Sequence, residues 1–136
     1  MINSKDLCIG NVVWWLNTED DKYETLIIDS LAFDMVEYED QSHIPIPINI
    51  KILEYLGWKK RSENDFQIIY SYGYVNVYYA KEHKAIFVYI EEHIEPAFSR
   101  EIKYFHELEN LYYFTTGEHL EVDLDLLEYD KIKELL

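Results

Sequence analysis

Cysteine, glycine and long apolar runs are all scarce in this 136-residue sequence. The single cysteine, Cys8, excludes an internal disulfide and a zinc site built from thiolates. Because it lies in the apolar run 7–9, we expect a buried and inert thiol. Four glycines in the whole chain argue against a loop that cradles phosphate. No run approaches the ~20 apolar residues of a membrane span, and residues 1–6 do not begin a signal peptide. We therefore expect a soluble, cytoplasmic protein that does not bind membranes.

Basic residues are also scarce in comparison with acidic ones. The chain has 12 lysines and arginines against 27 aspartates and glutamates, and its formal net charge is −15. A compact domain with this charge repels nucleic-acid phosphates and anionic membranes. The basic patch Lys59-Lys60-Arg61, in a predicted polar loop that runs from Trp58 to Asp65, is too small to reverse that repulsion. The composition predicts no direct contact with nucleic acid and favours a basic protein surface as the partner.

The chain does contain enough apolar surface for a folded core. Hydrophobic residues make up 49% of it and aromatic residues 16%, and 13 residues are tyrosines. A disordered acidic tail would be poor in aromatic residues, whereas tyrosine suits half-buried strands and interfaces. The length and the lack of a Pro/Gly/Ser-rich linker predict a single domain.

Alternation of apolar and polar residues predicts most of the chain to be strand. The predicted strands are 7–16, 24–29, 31–39, 66–72, 74–80, 85–90 and 119–124. A turn or bulge is expected at Gly10-Asn11, a polar turn at 17–21, a hairpin turn at Asp29-Ser30 and a further turn at 81–84. The early strands suggest a small curled sheet or partial barrel.

Three segments have helical spacing instead. Asn49 is a suitable N-cap for a helix from Ile50 to Leu56, which Gly57 ends. The apolar residues of 105–115 recur at helical spacing, and Gly117 is expected to end this helix. The helix is expected to pack on the sheet of 66–90. The pattern of residues 125–136 is typical of an amphipathic terminal helix.

The sequence thus predicts an α+β fold with an antiparallel, partly barrel-like sheet and two or three short helices. Residues 1–124 are predicted to form one domain. The terminal helix, 125–136, is predicted to pack on this domain or to extend from it.

The segment 105–120 carries the run His-Glu-Leu-x-Asn-Leu-Tyr-x-x-x-Thr-Gly. Together with residues 7–13 and with 44–48, which lead into a short helix ending at 55–58, it resembles a family of small uncharacterised proteins. These proteins occur in phages, prophages and genomes of the Bacteroidetes group. The resemblance spans about residues 5–122 and implies a phage or mobile-element setting, without any established chemistry.

The patterns that could carry chemistry are incomplete. Residues 106–110 lack the second histidine of a zinc-protease motif, so His106 and Glu107 are interpreted as exposed helix residues. The carboxylates of 123–128 lack the glycine and the bidentate glutamate of a calcium loop. Glu92 and His93 follow a strand and point to opposite faces, so they would not cooperate in proton transfer. We therefore predict no enzyme, no metal and no cofactor.

The negative charge itself is concentrated in two clusters. Residues 18–40 hold nine acidic residues and one lysine, and residues 117–136 hold seven acidic residues and two lysines. Together they account for 13 of the 15 net negative charges. The charge is either there for solubility or forms an acidic face for a basic partner. The predicted partner-binding residues are Glu19, Asp20, Asp21, Glu37, Glu39, Asp40, Asp123, Asp125 and Glu128.

Two classes of function are consistent with these patterns. The first is a non-enzymatic protein-binding module, which in the phage setting implied by the resemblance would inhibit or modulate a nucleic-acid-binding defence protein of the host. The alternative is a small-molecule or peptide-binding domain, or an enzyme, with a pocket between the sheet of 66–90 and the helix of 105–115. A flat acidic face favours the first, and a deep pocket with converging polar groups favours the second.

Overall fold

The computed structural model describes residues 7–29, 43–89 and 100–136. In these ranges the fold is α+β, with an antiparallel sheet of three strands, an antiparallel sheet of five strands and three short α-helices, which confirms the predicted class. Neither of these sheets, as described, closes into a barrel. The predicted strand at 31–39, the turn at Asp29-Ser30, and the residues Glu37, Glu39, Asp40, Glu92 and His93 lie wholly or partly outside the described residues.

The chain divides into two compact units. The first comprises Met1–Pro47 with Tyr104–Leu135, and the second comprises Ile48–Lys103 with Leu136. The predicted boundary between residues 124 and 125 stays a prediction.

The first unit contains a sheet in the order β2-β1-β3, formed by β1 (Val12–Asn17), β2 (Lys22–Ile27) and β3 (His43–Ile44). The β1–β2 hairpin closes through the polar turn that the sequence predicted, and β1 carries the core residues Val13 and Trp14. β1 is therefore the strand to which the other elements of this unit attach.

The predicted first strand begins later than expected. Residues 8–11 form a turn, in which the Asn11 N–H donates to the Cys8 carbonyl at 3.1 Å and Gly10 has a φ of 98°. A glycine adopts this left-handed conformation without steric cost, so the chain turns here before β1 begins. The turn leaves Cys8 exposed, and the prediction of a buried thiol is therefore wrong.

Helix α2 (Phe105–Thr116) also belongs to the first unit. It begins where the Tyr104 N–H donates to the Glu107 carboxylate at 3.2 Å, and it ends at Gly117, as predicted. Phe105 and Leu108 are fully buried, and the helix contacts β1. The sheet of 66–90, on which we expected this helix to pack, lies in the other unit.

The end of the chain differs from its prediction. Residues 119–123 are not a strand; they lead into a 3₁₀ helix (Leu124–Leu127) and helix α3 (Tyr129–Lys133). The Asp123 carboxylate accepts the Asp125 N–H at 3.0 Å, and such local bonds compete with strand pairing. Glu128 is extended, with a ψ of 140°, and so divides the predicted terminal helix in two.

The second unit is a meander in the order β4-β5-β6-β7-β8. Its strands are β4 (Lys59–Glu63), β5 (Gln67–Tyr72), β6 (Val75–Ala80), β7 (Ala85–Val88) and β8 (Glu101–Ile102). Helix α1 (Ile50–Tyr55) precedes the sheet, and its N-cap Asn49 accepts the Ile52 N–H at 2.8 Å, as predicted. The predicted loop at 59–65 is largely β4, whose residues are all exposed, so the strand has no apolar alternation by which the sequence could show it.

No helix in the described part of the chain is long and apolar enough to cross a membrane.

Candidate functional site

Three of the predicted partner-binding residues form the tip of the β1–β2 hairpin. Glu19, Asp20 and Asp21 are all exposed there. Asn17 organises the tip, because its side-chain oxygen accepts the Glu19 N–H at 3.0 Å and its amide nitrogen lies 3.3 Å from an Asp20 carboxylate oxygen. The carboxylates are thus presented on an ordered turn.

A groove on the first unit brings the two acidic clusters together. It has a volume of about 670 Å³ and lies between β2 and the C-terminal helices. Its lining residues are Asp21, Lys22, Tyr23, Glu24, Thr25, Leu124, Asp125, Glu128, Tyr129 and Asp130. Five carboxylates therefore line this acidic groove, and Lys22 is the only basic residue among its described lining residues.

Aromatic rings form part of the groove and attach its two walls to each other. The rings of Tyr23 and Tyr129 stack with centroids 4.8 Å apart, and the buried Trp14 meets the Tyr129 ring edge-on at 4.9 Å. The Trp14 indole N–H donates to the Leu127 carbonyl at 2.7 Å. Because Leu127 is itself fully buried, the acidic C-terminal wall is held against β1 and β2 by packing that does not involve its carboxylates.

The chain's own lysines show how a cation interacts near this groove. The Lys131 ammonium donates to the Asp125 carbonyl at 2.9 Å and lies 3.6 Å from a Glu128 carboxylate oxygen. The Lys133 ammonium lies 5.2 Å from the centroid of the Tyr129 ring, within the range of a cation–π contact. On this wall a carbonyl, a carboxylate and a ring face thus each interact with a basic side chain of the chain itself.

The predicted residues do not all line the groove. Asp125 and Glu128 line it together with Asp21, whereas Asp123 is used to cap the 3₁₀ helix. The groove also includes Glu24 and Asp130, which belong to the two acidic clusters but are not among the predicted partner-binding residues. Within the described ranges, no three side chains of His, Cys, Asp or Glu are grouped as a metal site. A row of carboxylates with low-dielectric walls concentrates a negative potential, which attracts basic groups.

A second polar cluster, which the sequence reasoning missed, lies where α2 meets β1. Glu109 is only 8% exposed, and its carboxylate accepts the Val12 N–H at 2.8 Å. Burial raises the pKa of this carboxyl group to about 8, and the hydrogen bond from Val12 opposes the rise only in part. Beside it, the buried Asn11 donates from its side chain to Asn110 at 2.9 Å.

The helical spacing contained a signal for this cluster. Position 109 lies four residues after Phe105 and one after Leu108, which places it on the apolar side of α2. His106 is buried as well, at 3% exposure, so its interpretation as an exposed residue is wrong. Its ring stacks on Tyr104 with centroids 5.8 Å apart. Glu107 is half-buried and serves as the N-terminal capping partner of α2.

Comparison with protein families, with curated proteins and with solved structures finds no match for this chain. The resemblance to small phage and Bacteroidetes-group proteins therefore stays a prediction, as does the alternative of a ligand pocket or an enzyme.

Proposed function

We propose that this chain is a non-enzymatic protein-binding domain whose acidic groove holds a basic segment of its partner. The observation that supports the proposal is the union of two acidic segments, about a hundred residues apart in sequence, along one groove that also contains stacked tyrosines. Solubility alone requires carboxylates on the surface but does not require them to converge.

The two chemical components of the groove would have different roles. Exposed carboxylates steer a basic partner and speed its association, while contributing little to the lifetime of the complex. Tyrosine rings are common at binding hot spots, because they offer a large rigid area and a polar edge. Tyr23 and Tyr129 are half-buried, so they retain surface for such contact. Arginine and lysine side chains of a partner would meet both components at once.

The class of partner follows from the same charges. A surface that attracts a protein with a net charge of −15 is strongly basic, and such surfaces are typical of nucleic-acid-binding proteins. With the phage setting that the resemblance implies, the proposed role is inhibition or modulation of a host defence protein that binds nucleic acid. Occupation of the basic channel would exclude the nucleic acid by competition.

A matched pair of charge reversals tests the groove. Glu24→Lys with Glu128→Lys changes two exposed groove residues, and Glu118→Lys with Glu121→Lys makes the same charge change at exposed residues that do not line it. Binding of a fluorescent Lys/Arg-rich peptide is measured by anisotropy. We expect the first variant to bind roughly ten-fold more weakly and the second nearly as well as the parent.

The salt dependence of peptide binding and the position of the binding site on the chain provide two further tests. Binding should weaken steeply as the Debye length falls from roughly 10 Å at 0.1 M to roughly 3 Å at 1 M. In NMR spectra, the peptide should change the amide chemical shifts of residues 21–25 and 124–130, which include the groove. Equal losses in the two variants would mean that only net charge matters, and unchanged binding in both would leave solubility as the role of the charge.

A further inference from the structure

The Glu109 cluster joins two segments that are distant in sequence and places a carboxyl group at the junction. The Val12 N–H reaches the Glu109 carboxylate at 2.8 Å, and the side chains of Asn11 and Asn110 meet at 2.9 Å. The Asn11 side chain also accepts the Cys8 N–H at 2.7 Å, which ties the turn at 8–11 into the same cluster. Helix α2 is therefore fastened to the start of β1 by side-chain bonds that centre on adjacent helix residues.

This junction is buried rather than hydrated. Glu109 is 8% exposed, Asn11 is 4% exposed, and Val12 and Val13 beside them belong to the core. A buried charge without a paired opposite charge is costly, whereas a neutral carboxylic acid with a hydrogen bond is tolerated. Burial raises the pKa of the Glu109 carboxyl group to about 8, and the Val12 hydrogen bond opposes this rise.

Histidines, one thiol and Glu107 are among the titratable groups on the described elements that meet at this junction. On α2 itself His106 lies one turn earlier, and β3, which pairs with β1, carries the buried His43. The turn at 8–11 carries Cys8, and a Cβ on Gly10 would lie 3.3 Å from the His119 ring.

We propose that Glu109 is a proton-binding site that fastens helix α2 to the start of β1, and that loss of its proton loosens the first unit of the chain. In the neutral form the acid remains buried and accepts the Val12 N–H. In the ionised form the carboxylate is drawn towards water, which separates α2 from the turn at 8–11. The device acts within a single unit and does not depend on the acidic groove.

The direction of the pH dependence follows from linkage. The folded unit holds the proton up to about pH 8, while the unfolded or locally opened chain releases it near the ordinary glutamate value of about 4.3. Folding therefore takes up a proton between these limits. The stability that the neutral acid contributes is fully present below about pH 4.3 and is lost as the pH rises towards 8. Over this range the equilibrium constant for opening increases by up to roughly ten-fold per pH unit.

The first measurement is a carboxyl ¹³C NMR titration of the intact chain. We expect the Glu109 side-chain carbon to titrate between about pH 7 and 9, because burial raises the pKa of its carboxyl group to about 8. A midpoint in the ordinary glutamate range, about 4 to 5, would overturn the proposal. This measurement needs no variant, so it decides the question even if a substitution prevents folding.

The second measurement is hydrogen exchange of the Val12 amide as a function of pH. After correction for intrinsic exchange, its protection should fall as the pH rises from 5 to 8, whereas protection of Val77, in the other unit, should not follow it. In Glu109→Gln, which stays neutral and keeps an acceptor for the Val12 N–H, the fall should disappear.

Glu107→Gln is the matched control. Glu107 lies on the same helix and also accepts a backbone N–H, that of Tyr104 at 3.2 Å. This variant should retain the pH dependence of the parent chain at Val12. If it loses that dependence, or if Glu109→Gln retains it, the proton is bound elsewhere and the proposal fails.

Discussion

The two units of this chain bury different kinds of residue. The polar residues that are buried among those described are Asn11, His43, His106 and Glu109, and all of them belong to the first unit. The described core of the second unit is built from apolar side chains such as Leu53, Val77 and Ile86, together with the ring of Tyr70. The difference follows from how each unit is assembled.

The second unit is assembled from neighbours in sequence. Each strand of its sheet pairs with the next one along the chain, so the backbone groups are satisfied by ladder bonds and the side chains only have to pack. The first unit joins residues of 7–47 to residues of 104–135. At that seam the Val12 N–H donates to a carboxyl group from the helix. Long-range assembly therefore places titratable groups in the interior.

The largest expected effect is in the core of α2. Leu108 is fully buried, so Leu108→Ala should lower the free energy of unfolding by about 2–5 kcal/mol, through lost burial and the cavity that remains. Leu111, on the same helix, is only partly buried, so Leu111→Ala should lower the free energy of unfolding clearly less than Leu108→Ala does. Urea denaturation of the two variants measures both values. Equal losses would contradict the helix orientation described here.

An intermediate effect on stability is expected when the hydrogen bond between Tyr70 and Glu54 in the second unit is removed. The Tyr70 hydroxyl donates to the Glu54 carboxylate at 2.8 Å, and burial raises the pKa of this phenol above its ordinary value. Tyr70→Phe removes the hydroxyl and keeps the ring, so we expect a loss of about 1 kcal/mol in thermal or chemical unfolding. A loss as large as that of Leu108→Ala would mean that the second unit also depends on a polar seam.

The smallest effect on stability is expected at the tip of the β1–β2 hairpin. Reversal of Glu19, Asp20 and Asp21 to lysine should leave the melting temperature nearly unchanged, because these side chains are exposed. It should slow association with a Lys/Arg-rich peptide, since exposed charges act mainly on the association rate. The parallel reversal of Asp123, Asp125 and Glu128 sharpens the comparison, because Asp123 also caps the 3₁₀ helix and its loss should cost some stability.

Local patterns predicted the second unit well. The strands at 67–72, 75–80 and 85–88, the turns between them and the cap at Asn49 follow from alternation and turn chemistry that neighbouring residues already contain. β4 was missed because its residues are all exposed, and only its pairing with β5 makes it a strand. Near the C-terminus, Asp123 satisfies a backbone N–H locally where alternation predicted a strand.

For the candidate site, the sequence predicted the acidic residues but not their arrangement in a groove. The two acidic clusters were visible as charge, but the contact between Tyr23 and Tyr129, which brings Asp21 close to Asp125 and Glu128, requires the folded chain. Glu109 was overlooked because a glutamate in a helix ordinarily faces water. The helical spacing indicates that Glu109 lies on the apolar side of α2. The N–H that donates to its carboxylate, however, comes from Val12, 97 residues away in the sequence.

The sequence by itself determined the α+β class, the negative charge, the β5–β6 and β6–β7 hairpins and the ends of α1 and α2, because each of these depends on residues close together along the chain. Tertiary structure alone decided that α2 contacts β1, that two acidic segments share one groove and that a carboxyl group is buried at the seam of the first unit. Those features depend on which distant segments meet, and burial there changes the electrostatic cost of a charge in a way that no local pattern encodes.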